Sequence, residues 1–127
     1  MMSPETLKNS LAHFYGTERY HRWSILFKKH VLTDGAHFLA ENAECYWLMD
    51  LIASYAAKLK NEEFQLWTLK VNNQKAVVTC DDGNRNILVT QKIECTDFPL
   101  DEIQLYCLLG SIDGVNPQWV ILLPSEN

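Results

Sequence analysis

The segment Ala43–Ala57, AECYWLMDLIASYAA, holds two charged side chains, Glu44 and Asp50. Cys45, Leu48, Ile52, Ala56 and Leu59 recur at helical spacing, and Trp47, Leu51 and Tyr55 form a neighbouring stripe. A helix apolar around most of its circumference packs on several sides. The spacing therefore predicts a long buried helix over about 44–60. A membrane span needs roughly 20 apolar residues; this run is shorter and Asp50 interrupts it, so no membrane crossing and no membrane partner is expected. Asp50 shares its side of the helix with Ala43, Tyr46, Ala53, Ser54 and Ala57, a small and partly polar set. That places it on a wet edge. An interior position would require a partner, because an unpaired buried charge is costly; Arg19, Arg22 or a tyrosine would be available.

Upstream, SPETLKNSLAHF carries a helix start: Ser3 as N-cap, Pro4 at the first helical position and Glu5 in the first turn. Leu7, Leu11 and Phe14 share one face, and Gly16 ends the element, predicting an N-terminal helix over about 4–14. Alternation of Trp23, Ile25 and Phe27 suggests a strand at about 23–33. The breaker Thr33–Gly35 fits a hairpin turn or a helix cap. The helix-forming AHFLAENA after it favours a cap and a short helix.

Downstream the pattern changes to period two. Phe64–Val71, Lys75–Cys80 and Ile87–Cys95 are separated by the turn signals NNQ and DDGNRN, giving two hairpins in series. Ile103–Gly110 and Gln118–Pro124 add two strands, joined by SIDGVNP with turn residues Asp113-Gly114 and Asn116-Pro117. The expected fold is α+β: an antiparallel meander of about five strands packed on the long helix 44–60, with the N-terminal helix alongside. Strict βαβ alternation is lacking, which points away from a parallel sheet. One domain over 1–127 suits this length.

The formal net charge is −5. No Lys/Arg block exceeds two in a row, and no basic stripe interleaved with aromatics is evident, so no nucleic-acid partner is expected. The polar N-terminus MMSPETLKNS does not read as a secretory signal, so the expected location is cytoplasmic. Cys45, Cys80, Cys95 and Cys107 lack CxxC spacing and read as small buried hydrophobes. His13, His21, His30 and His37 form no HxxxH or HExxH pair and read as surface or half-buried. No metal site and no cofactor is expected. Asp81–Asn84 (DDGN) lacks the ligand spacing of a calcium loop and reads as a turn. Cys80 has acidic neighbours, which blunt a thiolate. Carboxylate pairs such as Asp34 with Glu41, or Asp97 with Asp101 or Glu102, supply acid–base groups without showing a cleft. In TDFPLDE, Thr96 and Asp97 are expected to cap their own backbone. No catalytic residue is assigned. Trp47, Asp50, Trp67 and Asp97 are the candidates to line a ligand site between the long helix and the sheet.

The segments TDGAHFLAENAECYWLMDLIASY, FQLWTLKV, AVVTCDDGN, TDFPLDEIQLY and LLPSEN together resemble a family of small bacterial proteins of unknown function. Members are frequent in cyanobacteria and on plasmids and other mobile elements. The resemblance spans Gly16 to Asn127. LLGSIDGVNPQWVILLP is longer than the short turn that usually precedes the family's last strand. The resemblance implies a bacterial, cytoplasmic, single-domain protein and carries no catalytic residues.

The leading expectation is a non-enzymatic protein-binding or accessory module, encoded by a mobile element, with inhibition of a host defence complex as one form. A sheet whose second face is free to dock a partner motivates it. The alternative is a small-ligand-binding protein or small enzyme with its site between helix and sheet. Self-association through an edge strand or apolar patch is a third course.

Overall fold

The computed structural model describes residues 1–111 and 114–127. Ile112 and Asp113, and with them the expected Asp113-Gly114 turn, lie outside the described residues. Helix α1 spans Pro4–Leu11, α2 Asp34–Asn42 and α3 Tyr46–Ser54; strands β1 to β7 span Tyr20–His21, His30–Thr33, Phe64–Asn72, Lys75–Asp81, Ile87–Ile93, Glu102–Ser111 and Pro117–Leu122. A 3-10 turn, Pro124–Glu126, follows β7.

Local signals account for many of these elements. Ser3 Oγ accepts from Thr6 N at the start of α1, with Leu7 and Leu11 buried one turn apart. Asn73 and Gln74 both adopt positive φ (52° and 65°) in the β3–β4 turn, the geometry that matches strand twist in a two-residue hairpin. In the DDGN loop Asp81 accepts from Gly83 N at 2.7 Å and Asp82 from Asn84 N at 2.8 Å, confirming a turn. Thr96 Oγ1 accepts from Phe98 N.

The expected five-strand meander on a long helix is not what forms. Among the described residues the sheet has seven strands, in the order β1-β2-β7-β6-β3-β4-β5. It is antiparallel except where β2 runs parallel to β7, with Leu32 beside Ile121. The region 44–60 is not one helix. Glu44 takes φ 50° and turns the chain between α2 and α3. Beyond Ser54 the chain tightens, with Tyr55 N bonded to Ile52 O and Ala56 N to Ala53 O. Tyr55 is drawn to the sheet instead: its hydroxyl donates to Gln91 Oε1 at 2.6 Å, and its ring lies 5.7 Å from that of Trp67. Of the strand expected at 23–33 only His30–Thr33 forms; residues 22–29 are an irregular loop, and the two-residue β1 lies before it.

All three helices pack on one face of the sheet. The core joins Leu7, Leu39, Leu48 and Ile52 from the helices to Trp67, Val78, Leu105 and Ile121 from the strands. The chain end locks this layer. Glu126 is buried; its Oε1 accepts from the Thr33 hydroxyl at 2.6 Å and from Leu123 N at 3.0 Å, and its Oε2 accepts from Gly35 N at 2.9 Å. Thr33 is also the N-cap of α2, accepting from Ala36 N. A carboxylate at a helix N-terminus meets both free N–H groups and the favourable end of the helix dipole. The TDG and LLPSEN segments, 91 residues apart at Gly35 and Glu126, are thus one structural unit.

Candidate functional site

The four residues expected to line one site do not meet. Trp67 is 2 % exposed, and its Nε1 donates to Gln65 Oε1 at 2.9 Å; it fills the space between α3 and the sheet where a ligand was expected. Trp47 and Asp97 share a shallow groove with Gln74, Ile93, Cys95 and Thr96. Asp50 is elsewhere, on the exposed edge of α3. Its partner is none of those the sequence suggested: Trp23 Nε1 donates to Asp50 Oδ1 at 2.8 Å.

That bond closes one wall of an open hollow of about 500 Å³ lined by Arg22, Trp23, Ser24, His37, Glu41, Tyr46 and Asp50. Helix α2 supplies His37 and Glu41 four residues apart, so both project from one face. At this hollow the imidazoles of His21 and His37 stack in parallel, 4.1 Å between centroids and 5° between planes. Each has a carboxylate. His21 Nε2 lies 2.8 Å from Asp34 Oδ1, and His37 Nε2 lies 3.6 Å from Glu41 Oε1. The Tyr46 hydroxyl donates to Glu41 Oε1 at 2.6 Å. The Asp34 carboxyl is held below the usual carboxylate range, first by His21 and then by the backbone N–H of Glu18. Burial, reinforced by Glu41, pushes the Tyr46 phenol well above its ordinary value. The arrangement gathers two imidazoles, their carboxylates and a phenol beside one open hollow.

The Asp34 and Glu41 carboxylates, a pair visible in the sequence, each hold one of two stacked histidines that the sequence gives no reason to join. His21 lies on β1 and His37 on α2, so no spacing rule links them. Among the described residues no three His, Cys, Asp or Glu side chains form a group able to hold a metal ion. The thiols offer no nucleophile in the core: burial pushes Cys45 up to about 12, and burial with Asp81 beside it pushes Cys80 up to about 12. Cys95 alone among the four cysteines is exposed.

The second candidate is a surface. Pairing places Leu66, Tyr106 and Leu122 in one row across β3, β6 and β7. Phe64, Leu108, Val120 and Val31 form the next row across β3, β6, β7 and β2. These residues alternate with the core positions Trp67, Leu105, Cys107 and Ile121, so they point to the face opposite the helices. Leu66, Tyr106, Leu108 and Val120 are half-buried, Phe64 is 36 % exposed, and the Phe64 and Tyr106 rings lie 5.0 Å apart. Among the described residues no helix is long and apolar enough to cross a membrane.

No curated protein and no solved structure matches the chain. A family model described as a family of unknown function (DUF6876) matches residues 5–127. The match takes in both halves of the Thr33–Gly35 and Glu126 lock as well as the histidine hollow, and the chain belongs to that family.

Proposed function

We propose that the protein is a non-enzymatic binding module that engages a partner protein through the helix-free face of its sheet. The observation that carries this reading is the apolar patch of Phe64, Leu66, Tyr106, Leu108 and Val120, which continues the rows of the buried Leu122 and Val31 on a face to which α1, α2 and α3 contribute nothing. An antiparallel sheet exposed on one side ordinarily alternates apolar inside with polar outside. Here Phe64 and Leu66 on β3, Tyr106 and Leu108 on β6 and Val120 on β7 are also apolar, while Thr68, Lys70, Glu102 and Gln104 keep the far end of the same face polar. These five side chains carry no charge, and Asp81 beside Leu66 with the Lys70–Glu102 pair further along the face borders them, so the fitting partner presents an apolar surface with a polar rim.

Affinity capture from host lysate, comparing the wild type with Leu108→Arg, tests the reading. The expected result is a protein retained by the wild type at micromolar concentration and lost in the variant, with the variant's circular dichroism unchanged. Identical capture profiles would sink it. Sedimentation of both proteins assigns the partner: a wild-type dimer that Leu108→Arg dissociates makes it a second copy.

A second reading places a small polar ligand in the histidine hollow. The convergence of Arg22, His37, Glu41, Tyr46 and Asp50 favours it. The hydrogen bonds already made there weigh against it, since a ligand must compete with Tyr46 for Glu41 and with Trp23 for Asp50. Amide shifts confined to these residues on titration with small polar compounds would support it, and shifts scattered over the molecule would not.

A further inference from the structure

The loop between β1 and β2 presents two aliphatic side chains to solvent: Ile25 is 86 % and Leu26 82 % exposed. Isolated exposed apolar residues need no explanation. Two in succession at the tip of a loop held at its base are a different matter. Trp23 is bonded to Asp50, Leu26 N donates to Ser24 Oγ at 3.1 Å, and the Arg22 guanidinium donates to the Lys28 carbonyl. His30 N donates to Phe27 O at 3.1 Å. The rings of Trp23, Phe27 and His30 lie 6.2–6.4 Å apart under the tip. These contacts hold the loop base, and Ile25 and Leu26 point outward from it.

Charge is segregated around this tip. Residues 19–29, RYHRWSILFKK, hold four of the eleven Lys/Arg and none of the sixteen Asp/Glu. Arg22, Lys28 and Lys29 are exposed beside Ile25 and Leu26. The basic run was hidden in sequence because no block exceeds two residues; the turn of the loop is what gathers it. Behind the tip, the carboxylates of Asp50 and Glu41 face the hollow.

We propose that the Trp23–Lys29 loop docks this protein on an anionic lipid surface. Ile25 and Leu26 enter the acyl boundary and Arg22, Lys28 and Lys29 sit among the headgroups. The apolar tip with a cationic collar is the arrangement that interfacial anchoring uses, combining buried apolar area with attraction to anionic lipid. Three observations favour lipid over other anionic partners. The most exposed side chains are aliphatic, whereas a single-stranded nucleic acid needs exposed aromatic faces for stacking; Trp23 and Phe27 are half-buried beneath the tip. Ile25 and Leu26 stand almost fully clear of the rest of the chain, which suits a fluid that moulds around them. The chain carries −5 overall, so the charge separation orients the loop toward a negative surface and the remainder away from it.

The test is co-sedimentation of the full chain with vesicles of 70 % phosphatidylcholine and 30 % phosphatidylglycerol, against pure phosphatidylcholine, at roughly 50 mM salt, the low-salt regime in which surface charge is least screened. Binding to the anionic vesicles alone is expected. The doubly substituted Ile25→Ser/Leu26→Ser and Lys28→Glu/Lys29→Glu proteins should each lose at least about tenfold in partitioning. Ile87→Ser, an exposed aliphatic on β5, should change nothing. All four positions of the two loop variants are solvent-exposed, and unchanged circular dichroism checks that they fold. No binding of the wild type to anionic vesicles overturns the proposal. So does binding that the Lys variants lose and the Ile25→Ser/Leu26→Ser protein keeps, which is surface attraction without insertion. Loss of a protein complex in that variant, with no vesicle binding by the wild type, reassigns the loop to an apolar protein pocket.

Discussion

Glu126→Ala should be among the most damaging single substitutions in this chain, although its site is one residue from the end. The carboxylate accepts three hydrogen bonds, from the Thr33 hydroxyl, Leu123 N and Gly35 N. Bonds to a charged acceptor contribute about 1.5–3 kcal/mol each, and a buried donor left unpaired costs about 1–3 kcal/mol. Simple addition overstates the loss, because Glu126 is 9 % exposed and water can reach the vacated site. Breaking one side of a buried charged network typically costs 3–5 kcal/mol; about 3–4 kcal/mol is expected here. Urea denaturation followed by tryptophan fluorescence reads it. With a slope near 2 kcal/mol/M, the midpoint falls by about 2 M. Glu126→Gln separates shape from charge. Its oxygen keeps Thr33 and Leu123, but its NH₂ turns a donor toward the Gly35 N–H, so a loss of about 2 kcal/mol is expected. Glu126→Ala within 1 kcal/mol of the wild type, or Glu126→Gln indistinguishable from it, would refute the reasoning.

Gly35→Ala tests the same junction from the other side. Its Cβ would lie 2.5 Å from Glu126 Oε1 and 2.7 Å from Leu123 Cδ1, costing about 2–3 kcal/mol in the wild type and clearly less in a Glu126→Ala background, which a double-mutant cycle resolves. His30, 5 % exposed and ringed by Trp23, Phe27 and Trp119, is lowered by burial to about 4. The unfolded imidazole takes up its proton near pH 6.5, so the His30 contribution is intact above that pH and is lost as pH falls toward 4. The loss totals about 3 kcal/mol, and His30→Phe should flatten the stability profile over that window. Trp67→Ala should cost about 3–5 kcal/mol by opening a cavity between α3 and the sheet, measured by the same urea titration. An aromatic thiol reagent at pH 8 should label Cys95 rapidly and reach Cys45, Cys80 and Cys107 only in denaturant, because three of the four thiols are buried.

What could be read from the chain is what neighbours in sequence decide. The Ser3 cap of α1, the Thr33 cap of α2, the DDGN turn and the alternating strands β3 to β7 rest on local hydrogen bonds and period-two burial. They appear within a few residues of where composition places them. The same locality misled at Trp23–Phe27. Alternation there looks like a strand, yet Ile25 and Leu26 both face solvent while Trp23 and Phe27 pack around His30. The candidate site was legible only in fragments. Asp50 stands at the edge of its helix as its small neighbours suggest, but its bond to Trp23 spans 27 residues, and the His21–His37 stack joins a strand to a helix.

The sequence by itself determined that the apolar segment within 44–60 forms a helix, though not that it stops at Ser54, and that hairpins follow it, because those depend on side-chain periodicity along one stretch of chain. Only the tertiary structure decided that β2 inserts beside β7 in parallel, that β6 pairs with β3 so that four strands line up two apolar rows, and that Glu126 returns to close α2. It also decided where α3 ends, through the bond from Tyr55 to Gln91. Each of these brings together residues far apart in the chain. Their energies come from burial and hydrogen bonds that exist only once the layers have packed, so no local pattern encodes them.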